Sequence, residues 1–121
     1  MADKIELRFQ SQCFQWFHNT YGRFGHNGRM FRIKNELDSF GGSGLTRMKQ
    51  LSENLATGII PGVADAGLIV HEGMVWFEFK VGNNTQSEEQ INWQKCVRKH
   101  GHLYFVVTTL EQFQKIINDL I

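Results

Sequence analysis

The sequence predicts an α/β or α+β fold, a mixed sheet flanked by helices, and three observations predict it. Four segments repeat apolar residues at spacings of three and four, as helices with one buried face do. Four short runs between them are β-rich, and a helical segment separates the third run from the fourth, so the fourth strand must return through a crossover. The chain has 121 residues, 41% hydrophobic and 21% charged, which suits one domain over 1–121 and excludes a disordered or fibrous chain.

The elements follow in order. Ile5, Phe9, Cys13, Trp16 and Phe17 mark a first helix over 3–19. Gly22, Gly25 and Gly28 then signal a loop, and 30–34 alternates apolar and basic residues as a half-buried strand does. FGGSG at 40–44 is a flexible connection, too short to divide two domains. Leu45, Met48, Leu51 and Leu55 recur with helical spacing up to a stop at Gly58. The runs 66–71 and 74–80 flank Glu72 and Gly73, a pair suited to a two-residue hairpin turn because glycine tolerates positive φ. Ser87 and Gln90 form a capping box for a helix whose apolar stripe is Ile91, Cys96 and Val97, ending at Gly101. A strand over 102–108 precedes a final helix over 109–121, with Leu110, Phe113, Ile116, Ile117 and Leu120 on one face. The expected order is α-β-α-β-β-α-β-α.

Several function classes are excluded. The start MADKIELRFQ has no apolar run behind a basic segment, and no stretch approaches the ~20 apolar residues of a membrane span, so neither a secretory signal nor a membrane partner is expected. Cys13 and Cys96 lack metal-ligand spacing and read as free core thiols in a reducing, cytoplasmic setting. His100 and His102 lack a third zinc ligand, and Trp16 and Trp93 lie on apolar helical stripes as core residues do. Net charge is only +1, but between Tyr21 and Gln50 the bases Arg23, Arg29, Arg32, Lys34, Arg47 and Lys49 face only Glu36 and Asp38, a local +4. That asymmetry suits a phosphate-facing side opposite an acidic pocket, although on charge alone a solvated basic surface is the simpler reading.

The chemistry converges on the hairpin. With a turn at 72–73, partners have numbers summing to 145, pairing His71 with Met74, Gly67 with Glu78, and Asp65 with Lys80. Side chains alternate along a strand and opposed residues share a face, so Asp65, Glu78 and Lys80 lie together at the open end of the hairpin. Two adjacent carboxylates repel, and a divalent cation relieves that repulsion; hard oxygen donors, with the carbonyl of Phe79 as a further one, favour Mg²⁺ or Mn²⁺. Such an ion acidifies bound water and offsets charge on a phosphorane-like transition state. Lys80 is placed to orient the attacking water or neutralise a phosphate oxygen, since two flanking carboxylates stabilise its charged form and disfavour a role as base. The same three residues are also compatible with an idle surface ion pair.

The stretch GIIPGVADAGLIV, then GMVWFEFKVGNNTQSEEQINWQKCVRKHGHLYFVV, resembles the VRR-NUC branch of the PD-(D/E)XK nuclease superfamily, with its GVPD-like element, E-x-K strand and S-x-x-Q-x-x-W helix. The resemblance spans most of the chain. It implies a restriction-endonuclease-like αβββαβ core, with the helix near 45–56 inserted and the helix at 109–121 added. It implies Asp65 and Glu78 as metal ligands, Lys80 as the catalytic lysine, Gln90 as a catalytic helix glutamine, and Glu6 as the N-terminal acidic residue. Asn35 and Glu36 resemble a further element of the family. Ala64 departs from the family's proline before the aspartate, which alters the approach to the site without removing a ligand. Gln90 is also explained by its capping box, and Glu6 by the positive end of the first helix. By resemblance to the stand-alone phage and bacterial type, the expected activity is Mg²⁺- or Mn²⁺-dependent cleavage of branched DNA, Holliday junctions or flaps, by a homodimer. The alternative is an inert nuclease-fold module that only binds nucleic acid.

Overall fold

The protein is described by a computed structural model covering residues 4–34, 44–71 and 73–121, without the side chains of Leu45 and Arg47. The Asn35–Glu36 element, most of FGGSG and Glu72 lie outside the described residues. The elements are α1 (Lys4–Tyr21), β1 (Arg29–Arg32), α2 (Gly44–Ala56), β2 (Ala66–Val70), β3 (Gly73–Phe79), α3 (Glu88–Lys99), β4 (Leu103–Val107) and α4 (Leu110–Leu120), the order expected from the sequence.

The strands form one sheet in the order β1-β2-β3-β4. The first two pairings are antiparallel and β3–β4 is parallel, reached by the crossover through α3. Hairpin register differs from the sequence-based expectation. Val70 pairs with Gly73 and Ala66 with Phe77, so partner numbers sum to 143 and the connection sits at 71–72. Gly73 uses its positive φ of 135° to begin β3 rather than to complete the turn. The correction is a shift of two residues, and two is the side-chain period of a strand, so every residue keeps its face.

Alternation along β3 separates two layers. Val75, Phe77 and Phe79 enter a cluster with Phe9, Cys13 and Phe17 of α1 and Phe113 and Ile117 of α4. Phe113 is the hub, its ring meeting Trp16, Phe77 and Phe79 at centroid distances of 6.0, 5.3 and 6.0 Å. On the other side a smaller cluster holds Ala64, Val97 and Tyr104, with Trp76 and Trp93 packed edge to face at 5.7 Å. Trp16 and Trp93 are thus packing residues. Cys13 is buried as expected, but Cys96 is exposed, because Val97 and Trp93 supply the inward face of α3 and Cys96 turns outward. No described residue of α2 is buried. Among the described residues no helix is long and apolar enough to cross a membrane.

Candidate active site

The open end of the hairpin lies where Gly62 to Asp65 enters β2. Gly62 has φ 85°, and a Cβ there would stand 2.4 Å from the carbonyl carbon of Glu89 and 2.7 Å from the amide nitrogen of Gln90. Only glycine allows this loop to touch the first turn of α3. The contact pins the segment leading to Asp65 against the helix that covers the same face of the sheet.

One step beyond the Ala66–Phe77 pair, Asp65 comes opposite Glu78, not opposite Lys80 as the 145 register required. Its placement is fixed twice. Ile33 donates its amide to the Asp65 carbonyl at 2.9 Å, and the Phe79 amide donates to Asp65 Oδ2 at 2.9 Å. The Phe79 main chain is therefore at the site, and its amide is the group seen to act there. Lys80 continues the line of β3 by donating its amide to the carbonyl of Val107 at 3.0 Å, which keeps its side chain on the Glu78 face.

Glu78 is fully buried. Tyr104, on the neighbouring strand, donates its hydroxyl to Glu78 Oε1 at 2.7 Å, whereas Glu78 Oε2 is buried with no hydrogen-bond partner. A buried carboxylate oxygen without a donor is costly. Burial pushes the Glu78 carboxyl above the usual range, as does the charge of Asp65, while the Tyr104 hydroxyl, the Lys80 ammonium and the Gln86 amide act in the opposite direction. Burial also raises Asp65, aided by Glu6 and opposed by the Phe79 amide, Lys80 and Arg32. The Tyr104 hydroxyl is pushed up by burial and by Glu78.

This donor set suits a hard divalent cation, which would supply the missing partner of Glu78 Oε2 and relieve the repulsion between the two carboxylates. Among the described residues no group of three His, Cys, Asp or Glu side chains is arranged to hold a metal ion. Glu6 is near enough to act on Asp65, but its Oε1 accepts from Asn84 Nδ2 at 2.9 Å, which ties it to the loop after β3 rather than into the pair.

The other residues singled out by sequence are dispersed. Gln90 closes the capping box: Ser87 Oγ accepts its amide at 3.2 Å and its Oε1 accepts the Ser87 amide at 2.8 Å. The glutamine that acts on Glu78 is Gln86, in the loop just before the Ser87 cap of α3. Arg23, Arg29, Arg32, Lys34 and Lys49 are exposed. Arg32 acts on Asp65, whereas Arg23 and Arg29 act on His18. Arg29 and Arg32 are three positions apart on β1, an odd step that turns them to opposite sides of the sheet. The side chain of Arg47 lies outside the described residues.

Tyr104 and Gln86 were not identified from the sequence. Tyr104 reaches Glu78 only through the β3–β4 register, in which Trp76 pairs with Tyr104 and Glu78 with Val106. The available signal was a hydroxyl in the apolar run LYFVV, since a buried tyrosine hydroxyl usually has a polar partner.

Compared by sequence, the chain matches no protein-family model and no curated protein. A solved structure described as a "VRR_NUC domain" is similar to it, with 21% identity, 96% of this chain and 97% of that chain covered, and a TM-score of 0.60. The chain therefore shares the fold of a VRR_NUC domain over the matched 96% of its length.

Proposed function

We propose that this protein is a VRR-NUC-type nuclease, a divalent-metal-dependent DNA endonuclease that cuts branched substrates. The observation that carries the reading is the buried, unpartnered Oε2 of Glu78 facing the same side as Asp65 and Lys80, in a fold that a VRR_NUC domain shares along nearly its whole length. Asp65 and Glu78 would hold Mg²⁺ or Mn²⁺, with the Phe79 carbonyl as a further oxygen. When bound, the ion supplies acidified water and neutralises charge on the scissile phosphate.

The chain's own residues do the remainder. The Phe79 amide holds Asp65 by one oxygen, Oδ2, and fixes its carboxylate beside Glu78. Lys80 orients the attacking water or compensates a phosphate oxygen, its charge held beside two carboxylates. Gln90 sustains the first turn of α3, against which Gly62 and hence Asp65 are set. Arg32, Lys34, Arg47 and Lys49 contribute cations for the DNA backbone, and binding through them weakens with salt. Symmetric cutting of a four-way junction needs two sites, so the active form is a homodimer, testable by sedimentation at working concentration.

The test is cleavage of linear, flapped and four-way DNA with and without Mn²⁺. Cleavage requires the ion, and Asp65→Ala and Lys80→Ala each reduce it by about 10²-fold or more. Undiminished cutting by both variants contradicts the reading. DNA binding without cleavage or ion binding in the wild type favours the inert binding module.

A further inference from the structure

Glu78 has one engaged oxygen and one bare oxygen, and both are buried. The engaged oxygen, Oε1, accepts from Tyr104, a residue only 2% exposed, at 2.7 Å. Tyr104 is itself held. Its main-chain carbonyl accepts from Arg98 Nη2 at 3.0 Å, and its ring lies in the cluster with Ala64 and Val97. A polar chain leads in from α3. With the Gln94 amide turned so that its oxygen accepts from the Arg98 guanidinium, its nitrogen donates to Gln86 Oε1 at 3.0 Å, and the Gln86 amide acts in turn on Glu78 and Tyr104. This is more than an apolar layer requires. A phenylalanine at 104 would fill nearly the same volume without introducing a hydroxyl, which in this position must find a partner.

We infer that Tyr104 is a positioning residue that fixes Glu78 as a one-oxygen ligand, engaging Oε1 and leaving only Oε2 to meet a cation. The inference rests on the metal-dependent reading above. Its consequence is selectivity. Mg²⁺ and Mn²⁺ take compact shells in which a carboxylate gives one oxygen, whereas Ca²⁺ is larger and readily accepts both oxygens of one carboxylate. Releasing Oε1 lets Glu78 chelate, which harms the small ions and compensates Ca²⁺. Residues that orient metal ligands typically alter affinity by ~10–100-fold when removed.

The experiment is calorimetric titration of Mn²⁺ and of Ca²⁺ into DNA-free wild type and Tyr104→Phe. The expected result is Mn²⁺ affinity weakened by about 10-fold or more and Ca²⁺ affinity reduced much less, so that the preference between the ions narrows. Unchanged Mn²⁺ affinity, or equal losses for both ions, overturns the inference while leaving the metal-dependent reading intact. A wild type that binds neither ion overturns both. Should Tyr104→Phe not fold, the wild type carrying 3-fluorotyrosine gives two resonances, because Tyr21 and Tyr104 are the two tyrosines of the sequence. Tyr21 bonds Asn118, outside the proposed site, and serves as the internal control. Adding Mg²⁺ shifts the Tyr104 signal and leaves Tyr21 in place; a stationary Tyr104 signal overturns the inference.

Discussion

Phe77, Glu78 and Phe79 follow one another on β3 and are 0%, 0% and 1% exposed, yet alternation sends the two phenylalanines to the α1/α4 side and the glutamate to the α3 side. On the first side nearly every buried contact is apolar or aromatic, and the layer stabilises the fold by removing that surface from water. On the second, a buried carboxylate faces a tyrosine, a second carboxylate and a lysine, and one of its oxygens has no donor. The same degree of burial therefore stabilises one face and costs stability on the other. A sheet can tolerate the second face because the first supplies the margin.

The comparison is broken most severely at the centre of the apolar layer. Phe113→Ala removes the ring that meets Trp16, Phe77 and Phe79, and the expected loss is about 3–5 kcal/mol in urea unfolding. A loss below about 1 kcal/mol would mean that the α1/α4 layer is not the stabilising one. Next comes Gly62→Ala, where a Cβ would collide with the main chain of Glu89 and Gln90. Positive φ and the clash together cost about 2 kcal/mol or more, and because Asp65 follows three residues later, cleavage should fall by more than unfolding alone explains. Wild-type stability and activity in this variant would show that the loop does not position the site.

The smallest effect concerns the two thiols. Burial pushes Cys13 up to about 12, while Cys96 is exposed on α3. A disulfide reagent at pH 8 should modify Cys96 quickly and Cys13 only at the rate of unfolding. Prompt reaction of both thiols would place Cys13 outside the tight layer.

How much of this was legible in the sequence divides along the same line. Helical stripes and β-rich runs are local, so all eight elements and their order could be read. Asp65, Glu78 and Lys80 were placed on one face because a face depends only on parity, and the two-residue register error preserved parity. The partner of each residue was not legible, since parity cannot distinguish Asp65 opposite Lys80 from Asp65 opposite Glu78. Cys96 was misplaced because two neighbouring positions of α3, 96 and 97, compete for one inward direction, and Val97 takes it. Tyr104 depends on a parallel pairing of segments nearly thirty residues apart, and Gln86 on the course of the irregular loop between β3 and α3, for neither of which a local pattern exists.

The buried pair also sets a pH dependence. Burial raises both carboxyls above their usual range. A folded pKa above the unfolded value means the folded chain holds the proton more tightly. This contribution is fully present below the unfolded values near ~4 and is lost as pH rises through the raised folded ones. In chelator-containing buffer, the wild type should therefore lose stability relative to Glu78→Gln over that window. The amide retains an oxygen for Tyr104 and removes the buried charge.

The most direct measurement is the melting temperature of wild type and Glu78→Gln at neutral pH, first with chelator and then with excess Mn²⁺. If the α3 face holds its charge for a cation, Glu78→Gln melts above the wild type in chelator, and Mn²⁺ raises the wild type while leaving the variant nearly unchanged. A variant that melts below the wild type in chelator and keeps the full Mn²⁺ shift would contradict the account.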